Sequence, residues 1–334
     1  MMQDNKALVL NYQKDLEATK GLPSDLNKVF KDYCHPQYLW HGVYPFESKT
    51  GAEAVIEGFY QPLFQSFDYL QRRQDIFMAG ESVSFGGNWV MSMGQFMGMY
   101  ERDFLGIPSH GKIAFLRYCE FHRIEGGIVA ETYCFVDLIG LMNQVGANPL
   151  PMQTGAEFII PGPRTHDGQL FKPQDVAESL KTLKLIEQMA SDLGTYRDID
   201  MNPKKLAETW HENMIWYGPS GIGSSMSISG FKRQHQIPFR KSLYSQRKHN
   251  GHKSRFAEGH YAAWVGWPSL SLVVSAGGYL GLPKTDAAID MRVIDVYRRE
   301  GDKLAENWVF IDTPYTLKQQ DLDIFERMRQ ILRR

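Results

Sequence analysis

The chain has 334 residues, more than one typical domain holds and enough for two, and 43% of them are hydrophobic. Its formal net charge is −1, which removes any global electrostatic case for binding nucleic acid or a membrane surface. The first ten residues lack the apolar core of a secretory signal, and no apolar run approaches the ~18 residues of a membrane span, so we expect a cytoplasmic protein. The three cysteines, Cys34, Cys119 and Cys134, are few and odd in number, which favours buried, reduced thiols.

Helices come first in the N-terminal half, and strands follow. The spacing of apolar residues predicts three helices, over 4–19, 23–33 and 51–67. Runs of β-branched and aromatic residues predict four strands, over 69–77, 82–100, 112–124 and 128–137. The last two are joined by a hairpin at a glycine pair. This order indicates an α+β domain with helices on one side of a curved antiparallel sheet.

Residues 104–137 occur twice. At an offset of 175 positions, FLGIP and LRYCEFHRIEGGIVAETYCFVD reappear as YLGLP and MRVIDVYRREGDKLAENWVFID, without a gap. Eleven of the 34 positions are identical, where unrelated segments would share about two. Trp89 matches Trp264 at the same offset, and Trp40 matches Trp216 at an offset of 176. We therefore expect a whole-domain duplication, because this period is too long for a solenoid repeat.

The Pro- and Gly-rich stretch 149–168 is expected to link a first domain, 1–148, to a second, 169–334. The second half repeats the plan, with helices predicted over 173–193, 203–210, 228–242 and 321–334. Its predicted strands cover 255–265, 269–280, 288–299 and 304–312. The basic run 248–256 is interpreted as a solvated loop, with anion binding as the alternative. WYGPSGIG is interpreted as a pocket-rim loop, because no Lys-Ser/Thr pair ends it as in a phosphate loop.

Each hairpin presents carboxylates among aromatic groups. Alternate side chains of a strand share one face. In the first copy these sets are Tyr118, Glu120 and His122, then Glu131, Tyr133, Phe135 and Asp137. In the second copy they are Asp295 and Tyr297, then Glu306, Trp308, Phe310 and Asp312. Such a mixture is typical of a concave pocket with apolar walls and a few convergent polar groups.

This pattern resembles the SnoaL-like polyketide cyclase family, which has the nuclear transport factor 2-like cone fold. The resemblance rests on LGIP and LGLP, the arginine strand, the glycine turn, and Glu-x-aromatic followed by an aspartate six residues after the Glu. It implies an α+β fold of two tandem cone-shaped domains, each with helices packed on a strongly curved antiparallel sheet. It also implies an intrachain pseudo-dimer, because single-domain relatives pair through their sheets; association into a homo-oligomer stays open.

The resemblance further implies acid/base catalysis by carboxylates, without metal or cofactor. Asp137 and Asp312 end the family motif and would supply the acid/base, with capping of the segments that follow as the alternative. VIDVYRR resembles the ketosteroid isomerase strand with an oxyanion-hole aspartate, which implies that Asp295 and Glu120 lie inside the cones. His122 is the remaining catalytic candidate, and a carboxylate in an apolar cone is expected to have a raised pKa.

The two copies differ at their histidines. His41 and His122 correspond to Tyr217 and Tyr297, so we expect the first pocket to titrate near neutral pH and the second not to. The residues expected to contact substrate are Trp40, His41, Tyr133, Phe135, Trp216, Tyr217, Tyr297 and Trp308.

The leading hypothesis is a cofactor-independent enzyme of the polyketide ester cyclase, isomerase or dehydratase type, acting on a small hydrophobic, oxygenated molecule. No His/Cys cluster has metal-ligand spacing, and no nucleophile motif is present. The alternative is a non-catalytic small-molecule-binding or interaction protein of the same fold. An epoxide hydrolase is disfavoured because Arg292 and Asp295 fall on opposite faces of one strand.

Overall fold

The computed structural model describes residues 2–195, 203–243 and 246–333. The chain divides into two compact units. The first unit comprises Met1–Pro149, Arg164–Pro173 and Ile324–Arg334, and the second comprises Leu150–Pro163 and Gln174–Asp323. These groupings differ from the expected limits at 164–173 and at the C-terminal helix, whose residues group with the first unit. The family-domain limits stay a prediction.

The predicted linker packs against both units in turn. Backbone hydrogen bonds of 2.9 Å join Phe77 to Gly168 and Leu170 in the first unit. In the second unit, Gly155 N donates to Ile222 O at 2.9 Å and Ser224 N to Ala156 O at 2.7 Å. The stretch is therefore ordered by pairing with neighbouring backbone.

The first unit begins with helices that pack on one sheet. Its helices are α1 (Met2–Ala18), α2 (Pro23–Tyr33), α3 (Ala52–Val55), α4 (Gln61–Ser66) and α5 (Leu138–Gln144), with a π-helical turn at Ile56–Tyr60 and the C-terminal helix Ile324–Leu332. Its strands are β1 (Cys34–Gly42), β2 (Ser48–Thr50), β3 (Phe67–Glu81), β4 (Asn88–Tyr100), β5 (Lys112–Glu125) and β6 (Ile128–Val136). They are ordered β2-β1-β6-β5-β4-β3, with β1 parallel to β6 and the other neighbours antiparallel.

The glycines of β4 let β3 approach closely and bend. A Cβ on Gly94 would lie 2.0 Å from Arg73 O, and one on Gly98 would lie 2.9 Å from Asp68 O. The register of the β3–β4 pair also shifts twice along its length. Such irregularities increase twist and bend a strand, which accounts for the curvature expected from the glycine-interrupted sequence.

The second unit repeats this architecture. Its helices are α6 (Val176–Thr195), α7 (Pro203–Thr209), α8 (Ser227–Phe231), α9 (Ile237–Leu243) and α10 (Thr313–Lys318), with a π-helical turn at Lys232–Gln236. Its strands are β7 (Trp210–Tyr217), β8 (Ser225–Met226), β9 (Arg247–His249), β10 (Ser254–Glu258), β11 (Tyr261–Val273), β12 (Ala288–Glu300) and β13 (Lys303–Ile311). They are ordered β10-β11-β12-β13-β7-β8, β9 also pairs with β11, and β7 is parallel to β13. The expected α+β class, with two helix-and-sheet units in tandem, is confirmed.

The hairpins of the two units have the same pairing register, but the strands that pair with them on the other side, β4 and β11, do not. Glu120 lies opposite Cys134 and Asp295 opposite Val309, a shift of 175 on both strands. Trp89 lies opposite Arg123, whereas Trp264 lies opposite Asp295. The sequence match between these tryptophans is therefore wrong as a structural equivalence, because the β11–β12 register differs from the β4–β5 register.

Three further predictions about local structure have clear outcomes. The predicted strand 255–265 spans a turn, since β10 ends at Glu258 and Gly259 has a φ of 57°. The basic run 248–256 contributes residues to β9 and β10 and is not wholly a loop. Cys34, Cys119 and Cys134 are buried and free, as expected. None of the described helices is both long enough and apolar enough to cross a membrane.

Candidate functional site

The two polar groups of each hairpin lie on opposite faces of its sheet. Directly opposed residues of an antiparallel pair share a face. Glu120 opposes Cys134 and His122 opposes Thr132, so Glu131, Tyr133 and Phe135 point the other way. The second hairpin behaves identically, with Asp295 opposite Val309 and Tyr297 opposite Asn307. The expectation of one mixed face was therefore wrong, and each unit has two separate polar clusters.

Glu120 is the centre of a closed polar cluster in the first unit. Its side chain has no solvent exposure, and that of Arg72 is 8% exposed. Arg72 Nη1 lies 2.6 Å from Glu120 Oε2. Gln13 Nε2 donates to Oε2 at 3.2 Å, and the Tyr60 hydroxyl donates to Oε1 at 3.3 Å. These contacts come from α1, β3 and the π-helical turn, and we call these four residues with His122 the Glu120 cluster.

His122 and the rings around Arg72 complete the cluster. His122 Nε2 lies 3.5 Å from Glu120 Oε2, and its Nδ1 is 2.9 Å from Thr132 Oγ1. The Arg72 guanidinium carbon lies 4.7 Å from the Phe96 ring centre and 4.6 Å from that of Tyr118. The cation is thus held by a carboxylate and by two aromatic faces.

The electrostatics make Glu120 a weak base. Burial acts to raise its pKa, but the positive charge of Arg72 and the neighbouring His122 imidazole outweigh it and lower the pKa to about 2. A carboxylate with so low a pKa is ionised at neutral pH and has little tendency to take a proton. The expected raised pKa is therefore wrong for Glu120, because a buried cation compensates its burial.

The space around the Glu120 cluster is narrow. A cleft of about 280 Å³, open solvent included, reaches Gln13, Tyr60 and Arg72. Behind it, Gln74 Nε2 donates to Ser92 Oγ at 3.0 Å, and Ser92 Oγ lies 3.0 Å from the Tyr118 hydroxyl. Most of these polar groups satisfy one another, whereas His122 Nε2 has no hydrogen-bond partner among the described residues.

Asp295 is the centre of a different cluster in the second unit. Trp264 Nε1 donates to its Oδ2 at 2.8 Å. The Tyr297 hydroxyl and Asn307 Nδ2 donate to its Oδ1 at 3.1 and 3.4 Å. Among the residues that the structure describes, the donors of these hydrogen bonds to Asp295 are neutral groups. Asp295 is a partly exposed residue. We call these four residues the Asp295 cluster.

Aromatic rings enclose the Asp295 cluster. The Trp264 and Tyr297 ring centres are 4.9 Å apart, and Trp210 lies 5.9 Å from Tyr297. His252 stacks on Trp264 at 4.7 Å, with an interplanar angle of 8°. Burial raises the pKa of Asp295 to about 6, although the hydrogen bonds from Trp264, Asn307 and Tyr297 act to lower it. This carboxylate therefore changes its charge near neutral pH, the range in which acid–base catalysis is most efficient.

The opposite faces carry a repeated charge network. In the first unit, Glu131 accepts from Arg123 Nε at 2.9 Å and from the Tyr133 hydroxyl at 2.9 Å, and His41 Nε2 lies 3.1 Å from it. His41 stacks on Tyr133 with ring centres 4.5 Å apart. Burial acts to raise the pKa of Glu131, but His41, Arg123 and Tyr133 lower it to about 2.

The second unit has the same network with tyrosine in place of histidine. Glu306 accepts from Arg298 Nε and, at 3.3 Å, from the Tyr217 hydroxyl. Tyr217 stacks on Trp308 at 5.3 Å. The arginine and glutamate pair identical in both copies therefore builds this face, and not the one that carries Glu120 or Asp295.

His41 and His122 do not share a site. His41 lies with Glu131 and His122 with Glu120, on opposite faces of the first sheet. The expectation that paired histidines make the first pocket titrate near neutral pH was therefore wrong in its geometry. The carboxylate whose pKa lies nearest neutrality among these clusters is Asp295, in the unit with tyrosines.

Asp137 and Asp312 both cap helices. Asp137 Oδ1 accepts from Gly140 N at 2.9 Å at the start of α5, and Asp312 Oδ1 accepts from Tyr315 N at 3.1 Å at the start of α10. Asp312 is fully buried and also lies 3.1 Å from Arg292 Nη1. These contacts match the capping alternative, since an N-cap side chain satisfies an otherwise unpaired N–H of the first turn.

The remaining substrate-contact candidates pack in the cores. Trp40 is fully buried and its ring lies 5.2 Å from that of Phe59, and Trp216 stacks on His235 at 4.1 Å. Phe135 is 1% exposed and lies opposite Cys119. Trp40 lies beside Thr132 and Trp216 beside Asn307 in the sheets, so both share a face with the clusters, whereas Phe135 lies on the opposite face.

Sequence reasoning missed Arg72, Gln13, Trp264 and Asn307. The sequence pattern could have identified Asn307, because the register of the predicted hairpin sets Asn307 opposite Tyr297. Arg72 and Gln13 are 48 and 107 positions from Glu120, and no local pattern brings them there. Within the described ranges, no group of three or more His, Cys, Asp or Glu residues is placed to hold a metal ion.

Comparison with known proteins gives matches among solved structures. No model of a known protein family matches the sequence, and no curated protein matches it. A protein described as a SnoaL-like polyketide cyclase, from Jannaschia sp. CCS1, is 20% identical over 43% of this chain and 92% of its own, with a TM-score of 0.34. A nuclear transport factor 2-like protein from Burkholderia xenovorans LB400 is 12% identical over 42% of this chain and 97% of its own, with a TM-score of 0.34.

A third similar structure is AclR from Streptomyces galilaeus, described as a hydroxylase. It is 20% identical over 44% of this chain and 83% of its own, with a TM-score of 0.35. Each of these proteins therefore spans somewhat less than half of the present chain. The family that the sequence resembles is thus represented among the solved structures similar to this chain, which carry different activities in their names.

Proposed function

We propose that the second unit is a cofactor-independent enzyme site in which Asp295 is the general base. The observation that carries this proposal is the Asp295 carboxylate, which aromatic rings enclose in a partly exposed residue and whose pKa burial raises to about 6. At pH 7 most of it is ionised, and its conjugate acid is strong enough to return the proton. A base matched in this way to its working pH suits proton transfer to and from carbon.

The proposed step removes a proton next to a carbonyl group. The proton moves from carbon to an Asp295 oxygen, and the electron pair of the C–H bond forms an enolate. Isomerisation returns the proton from Asp295 to another carbon. In a cyclisation the enolate carbon bonds to a second carbonyl carbon, and the resulting alkoxide takes the proton from Asp295. In a dehydration the enolate breaks the bond to a β-hydroxyl group, which takes that proton and leaves as water. Trp264 and Tyr297 act as positioning residues, because their hydrogen bonds fix both carboxylate oxygens. The surrounding rings favour a small hydrophobic, oxygenated substrate.

The experiment uses proton abstraction itself as the readout. A panel of cyclohexanone, ethyl benzoylacetate and a β,γ-unsaturated cyclohexenone is incubated with the full chain in deuterated buffer, and deuterium at carbon is followed by NMR. We expect hydrogen–deuterium exchange at carbon to be faster with the protein than without it for at least one probe. Its rate should rise between about pH 5 and 7 as Asp295 loses its proton. Asp295→Asn should lower this rate at least ~10²-fold.

Asp75 provides a matched control. Burial raises the pKa of this first-unit carboxyl to about 6, but it is not in either cluster. Asp75→Asn should therefore leave both the rate and the pH profile unchanged. Full exchange activity in Asp295→Asn would exclude Asp295 as the base, and no exchange with any probe would count against an enzyme of this type.

The first unit favours the second candidate function, a non-catalytic binding or interaction module. Its Glu120 is buried, ionised and held by Arg72 at 2.6 Å, which suits a structural or ligand-orienting role better than proton transfer. Native mass spectrometry of the purified chain tests this candidate. A retained hydrophobic molecule that is lost in Arg72→Met but kept in Asp295→Asn would support it.

A further inference from the structure

A pocket of the second unit is lined by residues outside the Asp295 cluster. Its volume is about 380 Å³, open solvent included. Its walls include Thr154, Ile222, His235 and Tyr279. None of these residues belongs to the Asp295 cluster, although His235 stacks on Trp216, which lies beside Asn307 in the sheet.

Two polar atoms at this pocket lack hydrogen-bond partners. His235 is 8% exposed and Tyr279 is 7% exposed. Neither His235 Nδ1 nor the Tyr279 hydroxyl has a hydrogen-bond partner among the residues described by the structure. Leaving such a group unpaired costs about 1 to 3 kcal/mol, so buried polar atoms are normally satisfied. Their presence in the wall of a cavity points to a bound molecule that supplies the missing partner.

The corresponding positions of the first unit are filled by packed apolar side chains. The duplicated positions of Ile222, His235 and Tyr279 are Phe46, Phe59 and Phe104. Phe46 lies 5.0 Å from Phe59 and 6.0 Å from Phe104 between ring centres, and all three are at most 5% exposed. Three packed phenylalanines of one copy are thus replaced in the other by two polar rings and one smaller side chain. The exchange removes volume and adds hydrogen-bonding atoms at the same place.

The pocket walls are uncharged at neutral pH. Burial, together with the positive charge of Arg240, lowers the pKa of His235 to about 3, so its imidazole is neutral. Burial raises the pKa of the Tyr279 hydroxyl, so it keeps its proton. His235 is fixed by stacking on Trp216 at 4.1 Å, and Phe239 lies 5.8 Å from the Tyr279 ring. A neutral imidazole and a phenol in an aromatic setting offer hydrogen bonds without an ion-binding charge.

We propose that this pocket binds a small uncharged molecule with an apolar ring and one hydroxyl or carbonyl oxygen. The ring lies among Ile222 and the neighbouring aromatic side chains, and the oxygen bonds to His235 Nδ1 and the Tyr279 hydroxyl. The site is independent of proton transfer at Asp295.

The test measures binding of para-fluorophenol to the full chain by fluorine NMR, with para-fluorotoluene as the matched probe that lacks the oxygen. We expect saturable binding of the phenol and much weaker binding of the toluene. Tyr279→Phe removes one oxygen atom and should weaken phenol binding about 2- to 13-fold, the effect of one hydrogen bond. Asp295→Asn should bind para-fluorophenol as the wild type does.

A triple variant restores the packing of the first unit. Ile222→Phe, His235→Phe and Tyr279→Phe together should abolish phenol binding without lowering the melting temperature. Wild-type affinity in the triple variant, equal affinity for both probes, loss of binding in Asp295→Asn, or a pocket that takes only water would each overturn the proposal. If the triple variant does not fold, unchanged affinity in Tyr279→Phe is sufficient to overturn it.

Discussion

Glu120 and Asp295 occupy the same position of a duplicated hairpin, yet their pKa values shift in opposite directions. Glu120 pairs with Arg72 at 2.6 Å, and its pKa is lowered to about 2. Asp295 accepts hydrogen bonds from Trp264, Tyr297 and Asn307, and its pKa is raised to about 6. Burial acts to raise the pKa of both carboxylates, so burial alone does not set the outcome; the charge of the partner does.

The sheet register explains why the described part of the second unit has no counterpart of Arg72 beside its carboxylate. In the first unit Arg72 lies opposite Phe96, which lies opposite Leu116. The residue 175 positions after Leu116 is Met291, which lies opposite Leu270, and Leu270 lies opposite His249. The strand position that holds the arginine in one copy thus holds an exposed histidine in the other. Of the two duplicated carboxylates, Glu120 is therefore ion-paired, whereas Asp295 has neutral hydrogen-bond donors and a pKa of about 6.

The largest expected effect comes from removing the cation of the first unit. Arg72→Met leaves the Glu120 carboxylate buried without its guanidinium, and should cost about 3 to 5 kcal/mol of unfolding free energy. Urea denaturation of the full chain at pH 7 measures this loss. Arg255→Met is the control, because its pair with Glu187 is partly exposed, at 27% and 43%, and should contribute less than about 1 kcal/mol. Equal losses in the two variants would contradict the contrast.

The second prediction concerns the sign of the pH dependence. The pKa of Asp295 is raised in the folded state, so its protonated form favours folding below about pH 4, and this contribution is lost as pH rises through about 6. Asp295→Asn should therefore raise the unfolding free energy at pH 8 by about 1 to 2 kcal/mol and give no gain at pH 4.

Glu120→Gln should show the opposite behaviour. The pKa of Glu120 is lowered to about 2, so its contribution is present above about pH 4.5 and is lost as pH falls toward 2. The cost of this substitution should accordingly shrink on acidification. Urea titrations across this range, with the same sign of pH dependence in both variants, would break the comparison.

The third prediction concerns what the two units share. Asp137→Ala and Asp312→Ala each remove an N-cap and should cost about 1 kcal/mol or more. Asp137→Asn should recover most of that loss, because asparagine also caps helices well. Thermal unfolding measures the effect. Neither Asp137→Asn nor Asp137→Ala should change the deuterium exchange assigned to Asp295, and a ~10²-fold loss of exchange would return Asp137 to the mechanism.

The smallest expected effect is at the exposed end of the repeated charge network. Glu125 lies 2.6 Å from Arg123 Nη1 and Glu300 lies 2.8 Å from Arg298 Nη2, with side-chain exposures of 69% and 44%. Glu125→Gln and Glu300→Gln should each change the unfolding free energy by less than about 0.5 kcal/mol, because solvent screens such pairs. Changes above 1 kcal/mol, or unequal changes in the two units, would show that the shared network differs in strength.

The sequence by itself determined the elements and their repetition. Apolar periodicity predicted a helix at 23–33, and α2 runs from Pro23 to Tyr33. The duplicated hairpin sequence predicted β12 and β13 from β5 and β6. This was possible because strand alternation and a glycine turn depend only on neighbouring residues in the sequence. It also correctly placed Glu120 and Asp295 on the strand face shared with His122 and Tyr297.

Only the tertiary structure decided which residues meet and how they titrate. Glu131 and Tyr133 were assigned to the wrong face because alternation along one strand does not state which face its neighbour presents; the pairing register does. Arg72 reaches Glu120 because β3, β4 and β5 lie side by side in the sheet. The pKa of a buried carboxylate depends on such distant partners through the local field, so the sequence specified the acids and the fold specified their chemistry.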